Sequence, residues 1–269
     1  GRRGLKTALT MMNWLVKEEL ASRNPCIGLR VADPVPVREK RRPFSANQLE
    51  RIFTGEPFED LDGVRDGKRI PTSPAHFYVP LIALFSGLRQ NEICQQTVDD
   101  IVELDGIFCF VVKPDTMLGK RVKTNSSERV VPIHPALIRA RVLDHWRRCC
   151  TARETRLWPE LELDRFGYAS AYFSKWFARY LIRTGAKADR TTFHSFRHCF
   201  RDAMRAGRVE RELAFALGGW TGSRSGAVAV GDIYGSGFGI GVLSEAISKV
   251  HYDVPALSSL MERAEVIDP

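Results

Sequence analysis

The sequence predicts an α+β fold that is mainly helical and contains one small three-stranded antiparallel sheet. Apolar residues recur at helical spacing through most of the chain, whereas β-rich runs are confined to residues 98–133. A doubly wound parallel sheet is excluded, because strands and helices do not alternate along the sequence. The length of 269 residues is sufficient for one large domain with an appendage.

The N-terminal segment predicts a helix followed by a linker. A helix with one apolar face covers residues 5–21, and Asn24-Pro25 ends it. Residues 30–43 contain three prolines, which is typical of a linker. Between the prolines lie four basic residues that predict contact with a polyanion: Arg38, Lys40, Arg41 and Arg42.

These features predict three parts of the chain. Residues 1–30 read as the end of a preceding, truncated domain, and residues 31–43 as a basic linker. Residues 44–269 read as the main domain with a C-terminal tail.

The main domain is predicted to be built from short helices around the sheet. Ser45 caps the first of them, with Gln48 at the third helical position. The predicted helices cover residues 46–53, 75–86, 91–96, 135–149, 169–183, 192–206, 209–217, 243–250 and 255–266. The predicted strands cover residues 98–104, 107–112 and 129–133, with a tight turn at Asp105-Gly106. Residues 55–74 and the glycine-rich residues 218–241 are predicted as loops.

The composition indicates a polyanionic partner. The formal net charge is +8, and 30 of the 40 basic residues are arginines. One guanidinium group can bind two phosphate oxygens at once. The longest apolar run, residues 77–85, is short of the ~20 residues of a membrane span. We therefore expect no membrane partner and a cytoplasmic protein. The six cysteines show no C-x-x-C spacing and no nucleotide-binding motif occurs, so no metal or cofactor is expected.

Two motifs predict anion binding. Arg89 follows the Ser86-Gly87 turn, and Glu92 lies three residues further on, where it can orient the guanidinium for a phosphate. The alternative for this motif is a structural salt bridge. His194 and Arg197 lie three residues apart near a helix N-terminus that also favours an anion. Thr192 is the predicted N-cap of this helix. The alternative for the His194 and Arg197 pair is a solvated polar face.

Two further residues stand in loops. Lys123, preceded by Lys120 and Arg121, lies between the second and third strands. A lysine there can reach a nucleic-acid groove or donate a proton, and the alternative is a solvated loop lysine. Tyr234 stands among glycines that allow its segment to move, and the alternative is a half-buried tyrosine.

The order of these motifs resembles the catalytic domain of the tyrosine recombinase (phage integrase) family. The resemblance covers residues 43–250, with residues 5–30 similar to the last helix of that family's core-binding domain. It implies that Tyr234 attacks a phosphodiester and forms a 3′-phosphotyrosyl bond, while Lys123 protonates the leaving oxygen. The residues implied to stabilise the charge are Arg89, His194, Arg197 and Trp220, supported by Glu92 and His198. Tyr252 is the rival nucleophile, because Trp220 and Tyr234 are 14 residues apart, more than is usual in the family.

The resemblance implies a site-specific recombinase that integrates or excises a prophage or other mobile element without metal or ATP. Its implied partners are double-stranded DNA, further copies of the chain in a tetramer, and accessory DNA-bending proteins. The residues expected to bind DNA are Arg38, Lys40, Arg41, Arg42, Lys120 and Arg121. When bound to DNA, the protein would be associated with the nucleoid. The tail after Val250 is predicted to exchange between protomers through Val254, Leu257, Leu260 and Met261. Two alternatives remain at this point: a type IB topoisomerase-like enzyme, and a DNA-binding protein of the same fold without catalysis.

Overall fold

The computed structural model describes residues 2–30, 41–58, 64–65, 68–69, 73–122, 128–220 and 238–266. The chain divides into two compact units, residues 1–40 and residues 41–269. Within the described residues, no helix is both long and apolar enough to cross a membrane.

The first unit contains one helix, α1 (Arg2–Lys17). The predicted end at residue 21 is wrong, because Glu19 adopts a positive φ of 58°, which a continuing helix does not allow. Asn24 is buried and folds back over the helix, where its amide nitrogen donates to Asn13 Oδ1 at 2.6 Å. The predicted stop signal is therefore also a packing contact.

The sheet of the second unit has the predicted three antiparallel strands: β3 (Ile101–Leu104), β4 (Ile107–Val112) and β5 (Arg129–Pro132). Leu104 pairs with Ile107 across the Asp105-Gly106 turn, and both turn residues have positive φ, as expected. Residues 98–100 form a 3₁₀ turn instead of a strand, because Asp100 accepts hydrogen bonds from both the backbone and the hydroxyl of Thr97. The short strands β1 (Val64–Arg65) and β2 (Lys68–Arg69) pair within the predicted loop.

Helices enclose the sheet and form most of the core. In chain order they are α2 (Ala46–Thr54), α3 (Pro74–Ser86), α4 (Gln90–Cys94), α5 (Pro135–Arg139), α6 (Val142–Thr151), α7 (Ser170–Arg183), α8 (Ser195–Ala206), α9 (Arg211–Gly218), α10 (Ile240–Ser248) and α11 (Pro255–Val266). Helix α3 is buried on nearly all sides and packs against α8. Gly87 ends α3 with φ of 65°, and a Cβ there would lie 2.4 Å from the Phe200 ring. Glycine is thus required where these helices meet.

Two helix predictions need correction. The single helix predicted over residues 135–149 is divided into α5 and α6, because Arg141 adopts φ of 63° between them. Helix α8 begins at Ser195 and not at residue 192. Thr192 is not its N-cap, since the Thr192 N–H donates to Ser195 Oγ at 3.0 Å while His194 occupies the N-cap position.

The C-terminal tail packs on its own chain. Val254, Leu257, Leu260 and Met261 are buried, and α11 contacts α2 and α5. The Ala256 N–H donates to Glu50 Oε2 at 2.9 Å, which fixes the start of α11 on α2. The apolar face that was predicted to pack on a neighbouring protomer is therefore covered within the chain.

Candidate active site

The centre of the candidate site is the carboxylate of Glu92, which joins two arginines. Glu92 Oε2 accepts from the Arg89 backbone N–H at 2.8 Å, and Oε1 accepts from the Arg89 side chain. Arg129 Nη2 donates to Glu92 Oε2 at 2.8 Å. Burial alone would raise the pKa of Glu92, but the Arg129 guanidinium, with Arg89, lowers it to about 2. The carboxylate is therefore ionised at neutral pH.

Arg129 is the site residue that the sequence did not reveal. Its side chain is only 1% exposed, and Nε donates to the Leu217 carbonyl at 2.9 Å. The available signal was a charged residue that opens an otherwise apolar, buried strand. Such a residue needs a buried partner, and Glu92 is that partner.

Arg197 joins the group from α8. It is 4% exposed, and its guanidinium donates to the carbonyl of Gly87 at 2.5 Å and to that of Gly218. Arg89 Nη2 donates to the Gly219 carbonyl at 3.3 Å. The guanidinium groups of Arg89, Arg129 and Arg197 thus meet at the C-terminal end of α9, where the free carbonyls favour cations.

Trp220 follows directly and covers this group. The Arg197 guanidinium lies 4.6 Å from the centre of the indole ring, and that of Arg201 lies 5.7 Å away. A Cβ on Gly218 would lie 2.2 Å from the indole, so the ring packs flat on a residue without a side chain. Trp220 is half-buried and lies beside Arg197.

His194 and His198 lie beside the arginines on the first turns of α8. Their ring centres are 5.3 Å apart. Burial, followed by the charges of Arg41 and Arg197, lowers the pKa of His194 to about 3. Burial also lowers the pKa of His198. Both imidazoles are therefore neutral at pH 7, and each has one ring N–H that can donate a hydrogen bond and one ring nitrogen that can accept one.

The predicted basic linker contributes Arg41 to this region. Arg41 acts on both His194 and His198 through its charge, and Arg42 is exposed, with its backbone N–H bound to the Arg190 carbonyl. Arg38 and Lys40 lie outside the described residues.

The predicted DNA-binding role of Lys120 needs correction. Its side chain is buried, and Nζ lies 2.6 Å from both carboxylate oxygens of Asp100. A lysine held in a buried ion pair is not available to a phosphate. Arg121, in contrast, is exposed.

The two predicted residues with covalent or acid roles, Lys123 and Tyr234, lie outside the described residues. The rival tyrosine is described. Tyr252 donates its hydroxyl to the Leu84 carbonyl at 2.8 Å, and burial raises its pKa well above the ordinary value. Its hydroxyl is therefore ill suited to attack a phosphate.

The arrangement can bind an anion with two free oxygens, such as the two non-bridging oxygens of a phosphodiester. Arg89, Arg129 and Arg197 carry three positive charges against the single carboxylate of Glu92, so the group has an excess of positive charge. Arg89 is the most accessible of the three, with 23% of its side chain exposed. No group of three or more metal-ligating side chains occurs in the part of the chain that the structure describes.

Solved structures with the same fold support the comparison made from the motifs. An integrase from mycobacterium phage Brujita aligns with a TM-score of 0.51 at 18% identity, covering 95% of this chain and 75% of the other. The Tn1549 transposon integrase in complex with circular intermediate DNA aligns with a TM-score of 0.50 at 16% identity, covering 95% and 77%. No family model matches the sequence, and the search of curated proteins found no match. The chain therefore has the fold of the tyrosine recombinase catalytic domain.

Proposed function

We propose that the chain is a site-specific DNA recombinase that breaks and rejoins DNA strands through a phosphotyrosine. The observation that carries the proposal is the convergence of Arg89 and Arg197, which are 108 residues apart in sequence, at the carbonyls of Gly218 and Gly219. Attack on a phosphodiester builds negative charge, which fixed guanidinium groups stabilise. Trp220 and His194 border the same group, as the motif order requires.

In the proposed reaction, the Tyr234 hydroxyl oxygen forms a bond to phosphorus while the bond from phosphorus to the 5′ oxygen breaks. The tyrosyl proton is released to water as this bond forms, and the neutral His194 ring donates its N–H to a non-bridging phosphate oxygen. Lys123 gives a proton to the leaving 5′ oxygen. Because the phosphotyrosyl bond keeps the bond energy, a 5′ hydroxyl can reverse the step without ATP, which permits exchange of strands.

The proposed biological role is integration or excision of a mobile element by a tetramer on paired sites. The neighbours in fold are named as integrases of a phage and of a transposon, and one is described in complex with DNA. The proposed partner is therefore double-stranded DNA, with accessory DNA-bending proteins as further partners. Intracellular action at the nucleoid follows from that partner.

The test is capture of a covalent protein–DNA adduct. The chain is incubated in EDTA with a pool of nicked duplexes of random sequence, and adducts that survive SDS are counted. We expect adducts from the wild type and none from Tyr234→Phe. Tyr252→Phe is the matched control, because it removes a hydroxyl that is bound to Leu84. Adducts that persist in Tyr234→Phe would refute the assigned nucleophile.

Absence of any adduct, together with salt-dependent DNA binding, would instead favour a protein of this fold that binds DNA without catalysis. Relaxation of supercoiled DNA without exchange between two duplexes would favour a topoisomerase-like enzyme.

A further inference from the structure

One short stretch of the second unit exposes aromatic rings to solvent. Among its described residues, every aromatic side chain that is exposed lies between residues 166 and 172: Phe166 at 60%, Tyr168 at 37% and Tyr172 at 49%. Burial of such a ring would be worth about 1.5–3 kcal/mol. Three exposed rings within seven residues therefore indicate a binding surface for a partner molecule.

Each of these rings has a cation above it. The Arg165 guanidinium lies 4.6 Å from the Phe166 ring centre, Arg121 lies 5.4 Å from Tyr168, and Lys175 Nζ lies 5.5 Å from Tyr172. We call these six residues the aromatic surface. Residues 164–175 and Arg121 together contain three cations and one anion, Asp164. This positive charge fits a polyanionic partner with apolar parts and disfavours a basic or a purely apolar partner.

Two of the rings, Phe166 and Tyr168, lie in a closed loop, and Tyr172 lies on α7. Asp164 Oδ1 accepts from the backbone N–H of Phe166 at 2.9 Å and of Tyr168 at 2.8 Å. Gly167, with φ of 81°, donates to the Asp164 carbonyl at 2.9 Å. The backbone polar groups are thus satisfied locally, and the Phe166 ring at the tip is fixed in solvent.

Hydrogen bonds connect the segment that carries the aromatic surface to α4, whose N-cap is Arg89. Ser170 Oγ donates to Asn91 Oδ1 at 2.8 Å, and the Asn91 amide donates to Gln95 Oε1 at 2.9 Å. The same Gln95 oxygen accepts from the Arg121 backbone N–H at 3.1 Å. Gln90, the residue after Arg89, donates its side-chain amide to the Ser170 carbonyl at 3.3 Å. The surface therefore borders the candidate active site.

A second exposed apolar group lies in the turn before Arg121. Met117 is 94% exposed, and its backbone N–H donates to Asp115 Oδ1 at 3.0 Å. The turn is anchored by the buried Lys120–Asp100 ion pair. The buried Lys120 thus holds the turn in place and positions Arg121 beside Tyr168. Arg121 Nη1 donates to the Tyr168 hydroxyl at 3.3 Å.

We propose that the aromatic surface binds the DNA duplex beside the cleaved phosphate. The cations Arg121, Arg165 and Lys175 contact phosphates, and the Phe166 ring packs on sugar and base edges. This assignment rests on the proposed function, since it presupposes that the chain binds DNA. It adds an apolar contact that makes the complex depend on more than charge.

The test measures affinity for a short random-sequence duplex, with and without a central nick, between about 50 and about 200 mM salt. We expect Phe166→Ala to weaken binding about 5-fold or more with the salt slope unchanged. Phe166→Trp keeps an aromatic ring at this position and is expected to bind with the affinity of the wild type. Arg121→Ala is expected to lower the salt slope by about 0.9, the value for one lost phosphate contact.

Matched controls separate this surface from general effects. Ile182→Ala removes an equally exposed apolar side chain from the far end of α7, and Arg147→Ala removes an exposed arginine from α6. Both should bind as the wild type does. If Phe166→Ala equals Ile182→Ala while the wild type still binds DNA, the aromatic surface is refuted and the proposed function stands. If the wild type neither binds nor forms adducts, the proposed function itself fails.

Discussion

The stability of the candidate site depends on a single carboxylate, that of Glu92. It is 4% exposed and ion-paired with both Arg89 and Arg129. Removing one partner of a buried ion pair leaves an uncompensated charge and costs about 3–5 kcal/mol. We therefore expect Glu92→Gln to lower the free energy of unfolding by about that amount at pH 7, as measured by urea denaturation. It should also abolish adduct formation on DNA.

Asp144→Asn provides the matched control. Asp144 also bridges two arginines, Arg141 at 2.7 Å and Arg147 at 2.9 Å, but it is 33% exposed. Exposed pairs contribute up to about 1 kcal/mol. Equal losses in the two variants would contradict the central role of Glu92.

At the residue scale, the sequence revealed pairs that are close along the chain and missed those that are distant. Arg89 and Glu92 were predicted to interact because three residues separate them on a helix start. Arg129 was missed because Glu92 lies 37 residues away. Lys120 was predicted to bind DNA because its ion-pair partner Asp100 is also distant, 20 residues away in sequence. Sequence shows which residues are charged, whereas burial depends on the tertiary fold.

At the element scale, periodicity predicted the type of most elements, and backbone conformation changed their ends. The sheet and its Asp105-Gly106 turn are confirmed because the turn chemistry is local. The break at Arg141 was missed because an arginine with positive φ leaves no signal in the apolar pattern. The tail was predicted correctly as a helix, but the surface that its apolar face covers depends on the position of α2.

The position of α11 leads to a stability prediction. Leu260 is fully buried in the chain's own core. Leucine-to-alanine changes in cores cost about 2–5 kcal/mol. We expect Leu260→Ala to destabilise the isolated chain by that amount in urea denaturation at low concentration. Ser259→Ala, at an exposed position of the same helix, is the control.

A large effect of Leu260→Ala at all protein concentrations would show that α11 is held in cis. An effect that appears only at high concentration would support exchange of the tail between protomers instead.

At the scale of the whole molecule, the fold keeps several histidines neutral. Burial lowers the pKa of His76 and His134 to about 4 and that of His194 to about 3. In the unfolded chain these side chains take up protons near pH 6.5. Between pH 6.5 and 4 the unfolded state therefore binds more protons than the folded state, and stability falls as the pH falls. Protonation of Glu92 in the unfolded chain adds a second loss of folding stability as the pH falls from about 4.5 towards 2.

His134 supplies the sharpest test of this acid sensitivity. Its Nδ1 accepts the Ala136 N–H at 3.0 Å, and its Nε2 contacts the Val250 carbonyl at 3.0 Å, so a second proton would break the cap of α5. His134→Asn keeps a side-chain acceptor at this N-cap but does not titrate. We expect the dependence of unfolding free energy on pH, between pH 6.5 and 4, to decrease by up to about 1.4 kcal/mol per pH unit. His251→Asn, at an exposed position beside it, controls for the substitution. An unchanged slope in His134→Asn would mean that His134 is protonated in the folded chain, with the α5 cap rearranged around it.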